Sequence, residues 1–249
     1  EVVDGGDAVA RVEVEGVAAD FDVLGVDDEG AVPGVVGEGE AGDLGEAATR
    51  AREALEIARA QQDRRLEGRA LDTLAYSTAF LDPPAAPRLF EQSVSVSREA
   101  GDGPFVADAL NGLGISHYLA GNYRSATTSL LEGVASSRES GNAATLTIGL
   151  AVLGYCLALQ GRLARAQTCL RESLVTARRL RDRVFEAQSL FSLGLIDALR
   201  GEPTRAEALL EESIDIARES SPLMVAFALL THGLARYVAG DINGCRPRF

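Results

Sequence analysis

Few side chains in this sequence are equipped for chemistry. Two histidines, His117 and His232, and three cysteines, Cys156, Cys169 and Cys245, are its whole stock of soft ligands and thiol nucleophiles. Zinc and related ions need such groups at short, regular spacings, and these five show none. Both histidines fall where a helical pattern asks for a large apolar or aromatic residue, so packing between helices is the expectation for each. Cys156 and Cys169 take small or apolar positions in successive helices. A cysteine–histidine nucleophile has nothing beyond composition to support it. Three thiols with no pairing pattern suit a reducing compartment, and hence a cytoplasmic location. The sequence has no lysine, which rules out the phosphate loop that ends in Gly-Lys-Ser/Thr. The expectation is a non-enzyme with no catalytic residues, no metal and no cofactor.

Charge is the second candidate signal. Arg162, Arg165, Arg171, Arg178, Arg179, Arg181 and Arg183 crowd one stretch. A basic ridge can meet nucleic acid, but Glu172 interrupts this one, Glu186 and Glu211-Glu212 lie nearby, and no aromatic residue is interleaved to stack bases. A solvated outer helix face is the reading, with no direct nucleic-acid contact. The net charge of −13 misleads about the rest of the chain. Residues 1–46 hold 14 of the 37 acids and a single basic residue, Arg11. The remainder is balanced. No apolar run is long enough for a membrane span or a signal peptide.

The elements that would position any site are written as a repeat. Gly121-Asn122-Tyr123-Arg124-Ser125-Ala126 recurs as Gly161-Arg162-Leu163-Ala164-Arg165-Ala166 and as Gly201-Glu202-Pro203-Thr204-Arg205-Ala206, 40 residues apart each time. A further copy opens at Gly240. Seven residues before each of these lies another glycine: Gly114, Gly154, Gly194 and Gly233. Within one unit, Leu110, Leu113 and Tyr118 follow helical spacing, Gly121 suits a helix C-terminus, and Ala126, Leu130 and Val134 stand four apart on a second helix. Glycine inside a helix costs roughly 1 kcal/mol against alanine, so its recurrence predicts a close crossing: Gly114 on Ala126, Gly154 on Ala166, Gly194 on Ala206.

The Leu-Gly pair, the alanine twelve residues after the glycine and the large apolar residue four later resemble the tetratricopeptide repeat. They read Leu113-Gly114, Ala126, Leu130; Leu153-Gly154, Ala166, Leu170; and Leu193-Gly194, Ala206, Leu210. The usual unit is about 34 residues. The longer unit here resembles the sensor arrays of large ATP-dependent bacterial regulators of the LuxR and maltose-activator type. That resemblance implies an all-α, right-handed superhelical solenoid of antiparallel helix pairs. It also implies a region that senses a ligand or partner inside a signalling or transcriptional regulator. A stand-alone adaptor for complex assembly is the alternative.

Phase places the array at residues 42–245, with a second-type helix over 43–63 and a first-type helix over 66–81. Residues 1–41 form an acidic, Gly- and Val-rich segment without helical period. It reads either as a disordered tail or as GC-rich DNA translated from a misassigned start. Residues 246–249 are a truncated tail, and the whole reads as an interior piece of a longer array.

Solenoids recognise partners with extended concave surfaces, and in tetratricopeptide arrays the first helices line that surface. The expected partner-binding residues are Tyr76, Asn111, Tyr118, Tyr155, Gln188, Phe191 and Tyr237. Tyrosine offers apolar area with a hydroxyl handle. The expected partner is a protein or a partly apolar peptide, not an acidic C-terminal tail, and homo-oligomers are left open.

Overall fold

The computed structural model of the chain describes residues 41–240. They form ten α-helices, with no strand among the described residues: α1 (Ala41–Gln61), α2 (Arg64–Leu81), α3 (Ala86–Glu99), α4 (Gly103–Leu119), α5 (Tyr123–Ser140), α6 (Ala143–Leu159), α7 (Leu163–Leu180), α8 (Arg183–Leu199), α9 (Pro203–Ser220) and α10 (Pro222–Val238). The helices predicted over 43–63 and 66–81 are α1 and α2. The readings of the acidic segment before residue 41 and of Cys245 and the tail lie outside the described residues.

The chain is a right-handed superhelical solenoid of antiparallel pairs. Even-numbered helices are the first members of their repeats and odd-numbered helices the second members. Each first helix packs on the second helices before and after it, and successive first helices also touch one another directly. Successive second helices have no comparable backbone approach. Close packing of one layer and splaying of the other bends the array, with the first helices inside the curve.

The repeated glycines decide how closely the pairs cross. A Cβ on Gly154 would stand 2.5 Å from Leu170 Cγ and 3.2 Å from the Ala166 carbonyl oxygen. Gly114 meets Leu130 and Ala126 in the same way, and Gly194 meets Leu210 and Ala206. Ala126, Ala166, Leu130, Leu170 and Leu210 are fully buried. The helical glycine therefore trades its propensity cost for contact between two backbones. Turns between the helices of a pair use left-handed glycines, Gly121, Gly161 and Gly201, at φ 76°, 73° and 77°. In α2–α3, Asp82-Pro83-Pro84 makes this turn instead.

The splayed outer layer is laced by side chains. Arg64 reaches Glu99 at 2.7 Å, Arg98 reaches Glu132, Arg138 reaches Glu172 at 2.7 Å, and Arg178 reaches Glu212 at 2.8 Å. The links from Arg98, Arg138 and Arg178 tie one second helix to the next, and Arg64–Glu99 joins the two helices of one pair. These pairs are half exposed, so each contributes about 0–1 kcal/mol. The arginine ridge read from the sequence is thus partly a strap: Arg178 and Arg183 are paired, while Arg162, Arg165, Arg171, Arg179 and Arg181 have no ion pair among the described residues.

Candidate partner-binding surface

The inner face is built from three positions on each first helix, one turn apart. Nearest the start of the helices, the row is Asp72, Asn111, Ala151, Phe191 and Leu230. One turn on, it is Tyr76, Ile115, Tyr155, Leu195 and Leu234. At the helix ends it is Phe80, Leu119, Leu159, Leu199 and Val238.

The first row is closed in every repeat but the last. Asp72, Asn111, Ala151 and Phe191 are buried, Asn111 to 1% and Phe191 to 3% exposure. Asn111 Nδ2 donates to the Thr145 carbonyl at 2.9 Å. Its Oδ1 fills the space left by two glycines: a Cβ on Gly133 would lie 2.4 Å from it and one on Gly149 2.7 Å. Gly133 stands where other repeats carry Ser93, Ser173 and Ser213, which donate to carbonyls of their own first helices. Asn111 and Phe191, expected to meet a partner, are instead held between helices and have almost no surface to present.

Beside Asn111 lies a buried acid pair. Thr145 Oγ1 donates to Asp108 Oδ1 at 2.7 Å. Asp72 Oδ1 has no hydrogen-bond partner. Burial, and then the neighbouring Asp108, push the Asp72 carboxyl well above the ordinary carboxylate range. Burial and these two acids also raise the Tyr76 phenol. The Tyr76 ring meets Phe90 edge-on at 4.9 Å.

The second row is half closed by an aromatic ladder. Tyr118 meets Tyr155 edge-on at 5.7 Å, Tyr155 meets Phe191 at 5.8 Å, and Tyr123 adjoins Tyr118 at 6.1 Å. Burial raises the Tyr155 pKa, and the nearby side chains of Thr231 of α10 and Tyr118 partly offset it. Tyr118 and Tyr155 remain partly exposed, as does Gln188. The structure thus brings Tyr118, Tyr155 and Phe191 together. Tyr76 stands apart on α2, and Tyr237 stands apart on α10 at 65% exposure.

The third row is open along its whole length. Phe80, Leu119, Leu159, Leu199 and Val238 are each 37–43% exposed. The sequence reading did not single them out. The signal was present: a large apolar residue five positions after Gly114, Gly154, Gly194 and Gly233.

The Cys156 thiol is buried and pushed up to about 12 by that burial. Burial, with Glu172 nearby, also raises the Cys169 thiol. Neither is a ready thiolate at neutral pH. His117 keeps a buried Nδ1 without a partner. His232 does more than pack: its Nε2 lies 2.8 Å from Glu207, which also pairs with Arg236. Burial pushes the Glu207 carboxyl up, but the bonds from Arg236 and His232 outweigh it and hold the group below its usual value. No cluster of three or more His, Cys, Asp or Glu among the described residues could hold a metal ion. No described helix is long and apolar enough to cross a membrane. A shallow depression of about 470 Å³ lies between α3, α4 and α5, lined by Arg98, Asp102 and Glu132, away from the inner face.

Comparison with known proteins agrees with the array. The tetratricopeptide repeat model matches residues 143–219, and the model of anaphase-promoting complex subunit 5 matches residues 39–71 and 107–161. No curated protein matches by sequence. Among solved structures, BtubC (BKLC) from P. vanneervenii superposes with a TM-score of 0.64 at 18% identity, covering 81% of this chain and 87% of that one. The apo form of RapI gives 0.62 at 16% identity, over 98% of this chain and 87% of that one. A Rap protein complexed with competence and sporulation factor gives 0.61 at 14% identity, over 94% of this chain and 66% of that one. These similarities show a tetratricopeptide-like helical repeat array.

Proposed function

We propose that this chain is a non-enzymatic protein–protein interaction scaffold, the partner-sensing repeat region of a bacterial signalling or transcriptional regulator. One observation carries the reading. The inner face runs unbroken through five first helices and keeps Tyr76, Tyr118, Tyr155, Gln188 and Tyr237 at least partly open. Extended inner faces are how solenoids recognise partners, and aromatic anchors carry much of the binding energy at interfaces. The partner is a protein or a partly apolar peptide, met in the cytoplasm, and this segment makes no direct nucleic-acid contact. Likeness in fold to a Rap protein complexed with a factor supports a ligand-holding array. The match to an anaphase-promoting complex subunit favours a second reading, a stand-alone adaptor for complex assembly. Genes flanking this one would separate the two, because regulators of the LuxR and maltose-activator type, which the sequence resembles, carry such an array between a nucleotide-binding domain and a DNA-binding domain.

Photo-crosslinking tests the shared core of both readings. A benzophenone side chain is placed at Tyr118 or Tyr237 on the inner face, or at Arg171 on the outer face, and the protein is irradiated in an extract of its source cell. Discrete protein or peptide adducts from the inner positions, absent from Arg171, are expected. Adducts of equal yield at all three, or none at the inner positions, would overturn the reading.

A further inference from the structure

The third row is the open part of the inner face, and what surrounds it specifies an occupant. Successive first helices are in contact, so their axes run about 8–10 Å apart, and the offset of about one turn between neighbours puts successive members of the row about 10–11 Å apart. Residues seven apart on an α-helix are separated by about 10.5 Å and share a face to within a fraction of a turn. A helix with a large apolar residue in each heptad therefore matches the spacing of Phe80, Leu119, Leu159, Leu199 and Val238. An extended strand does not, because its same-face residues recur at about 6.6 Å.

The charge around the row is predominantly positive. Arg88, Arg124, Arg162 and Arg165 stand at the starts of the second helices, next to the turns that follow the row. All are exposed, and none has an ion pair among the described residues. The carboxylates at these turns are fewer. Glu202 pairs with Arg205, and Asp82 is the unpaired one, at the first turn. The helix ends add to the positive field. The second helices α3, α5, α7 and α9 begin here at Ala85, Asn122, Arg162 and Glu202, none of which makes a side-chain cap bond. On the opposite edge, Asp63, Asn142, Asp182 and Ser221 cap the first helices α2, α6, α8 and α10. Uncapped helix N-termini favour anions.

We infer that this edge docks an acidic amphipathic helix of a partner protein. Its apolar residues, one per heptad, would sit on Leu119, Leu159 and Leu199. Its carboxylates would face Arg124, Arg162 and Arg165. The inference rests on the interaction-scaffold reading and names the class of partner.

The probe is a synthetic four-heptad peptide of helix-forming residues, with leucine at every seventh position and glutamate flanking it. Controls carry the same residues with the leucines scrambled, or lysine in place of glutamate. Binding to the full chain is followed by fluorescence anisotropy at low and high salt. The acidic heptad peptide is expected to bind at least tenfold tighter than either control, and more weakly in high salt. A Leu119→Ser, Leu159→Ser, Leu199→Ser variant and an Arg124→Glu, Arg162→Glu, Arg165→Glu variant should each lose at least tenfold. Their helical circular dichroism should stay unchanged, because all six side chains are exposed. Undiminished binding by both variants, or equal binding of the lysine peptide, would overturn the inference.

Two further outcomes would overturn it in favour of another occupant. Sedimentation of the chain alone that changes with the leucine variant assigns the edge to a second copy. Tighter peptide binding after Glu13→Gln, Glu15→Gln, Asp20→Asn and Asp22→Asn assigns it to the chain's own acidic segment. Inner-face crosslinks that persist in both rim variants would leave the scaffold reading standing while this inference falls.

Discussion

Each first helix shows two environments along one face. At its middle, Asp72, Asn111, Ala151 and Phe191 are walled in by neighbouring repeats. At its end, about two turns on, Phe80, Leu119, Leu159 and Leu199 meet solvent. The residue types do not explain this: a polar asparagine is buried and four large apolar side chains are exposed. The difference lies in the packing. Hydrogen bonds joining Asn111 and Asp108 to Thr145, and the edge-on contacts of Tyr118, Tyr155 and Phe191, hold neighbouring first helices together. At the ends, the turns carry the chain away to the second helix and leave the last side chain uncovered. The last helix provides a control, because no described helix follows it. There the first-row residue Leu230 is 71% exposed. Burial of the first row is therefore supplied by the next repeat.

The largest effect is expected where the two environments meet. Tyr155→Ala removes two edge-on ring contacts and a largely buried ring. A loss of about 3 kcal/mol is expected, by analogy with other large aromatic truncations, read as a lower urea midpoint. Unchanged stability with weakened partner binding would make Tyr155 a surface anchor rather than part of the closed region.

Overpacking the closed crossing comes next. Ala166→Leu should cost about 1–3 kcal/mol, because Ala166 is fully buried against Gly154. Arg165→Ala, one residue away and exposed, should change thermal stability by less than about 0.5 kcal/mol. Equal shifts in melting temperature would mean that the crossing is not where the glycines place it.

Asp72 tests the closed end through pH. An unfolded aspartate ionises near pH 4, whereas burial and Asp108 keep folded Asp72 protonated to higher pH. Stability contributed by this group is therefore greatest below pH 4. It falls as pH rises, until Asp72 itself ionises. Asp72→Asn should have little effect near pH 4 and should stabilise at pH 7.5 by about 1–3 kcal/mol. Urea unfolding at the two pH values checks this, and a destabilised variant at pH 7.5 would show that the carboxylate has partners there.

The smallest effect belongs to the open end. Leu159→Ser should change stability by less than about 0.5 kcal/mol, measured by thermal unfolding. A loss above about 1.5 kcal/mol would mean that this residue is covered in solution.

Much of the architecture was legible in the chain. The 40-residue recurrence of glycine and alanine announced helix pairs, their turns and the residues at each crossing, because a tight crossing tolerates only small side chains. The candidate surface was less legible. Lining up equivalent positions assumes that like residues of successive repeats stand side by side. In the structure, neighbours across the inner face are offset by about one turn: Tyr118 meets Tyr155 and Tyr155 meets Phe191, 37 and 36 residues apart. That stagger gathers residues from different rows into one ladder. It also closes over Asn111 and Phe191, which the periodic reading assigned to a partner.

The arginines divide along the same line. Composition showed a basic stretch, but only the spacing between second helices decided that Arg138 and Arg178 reach carboxylates while Arg162 and Arg165 do not. The sequence by itself determined the helices, the period and the close crossings, because helical phase and side-chain volume are local properties of the chain. The tertiary structure alone decided which inner residues are sealed and which stay open. Exposure depends on how far each repeat is staggered and tilted against the next, and no single repeat encodes that.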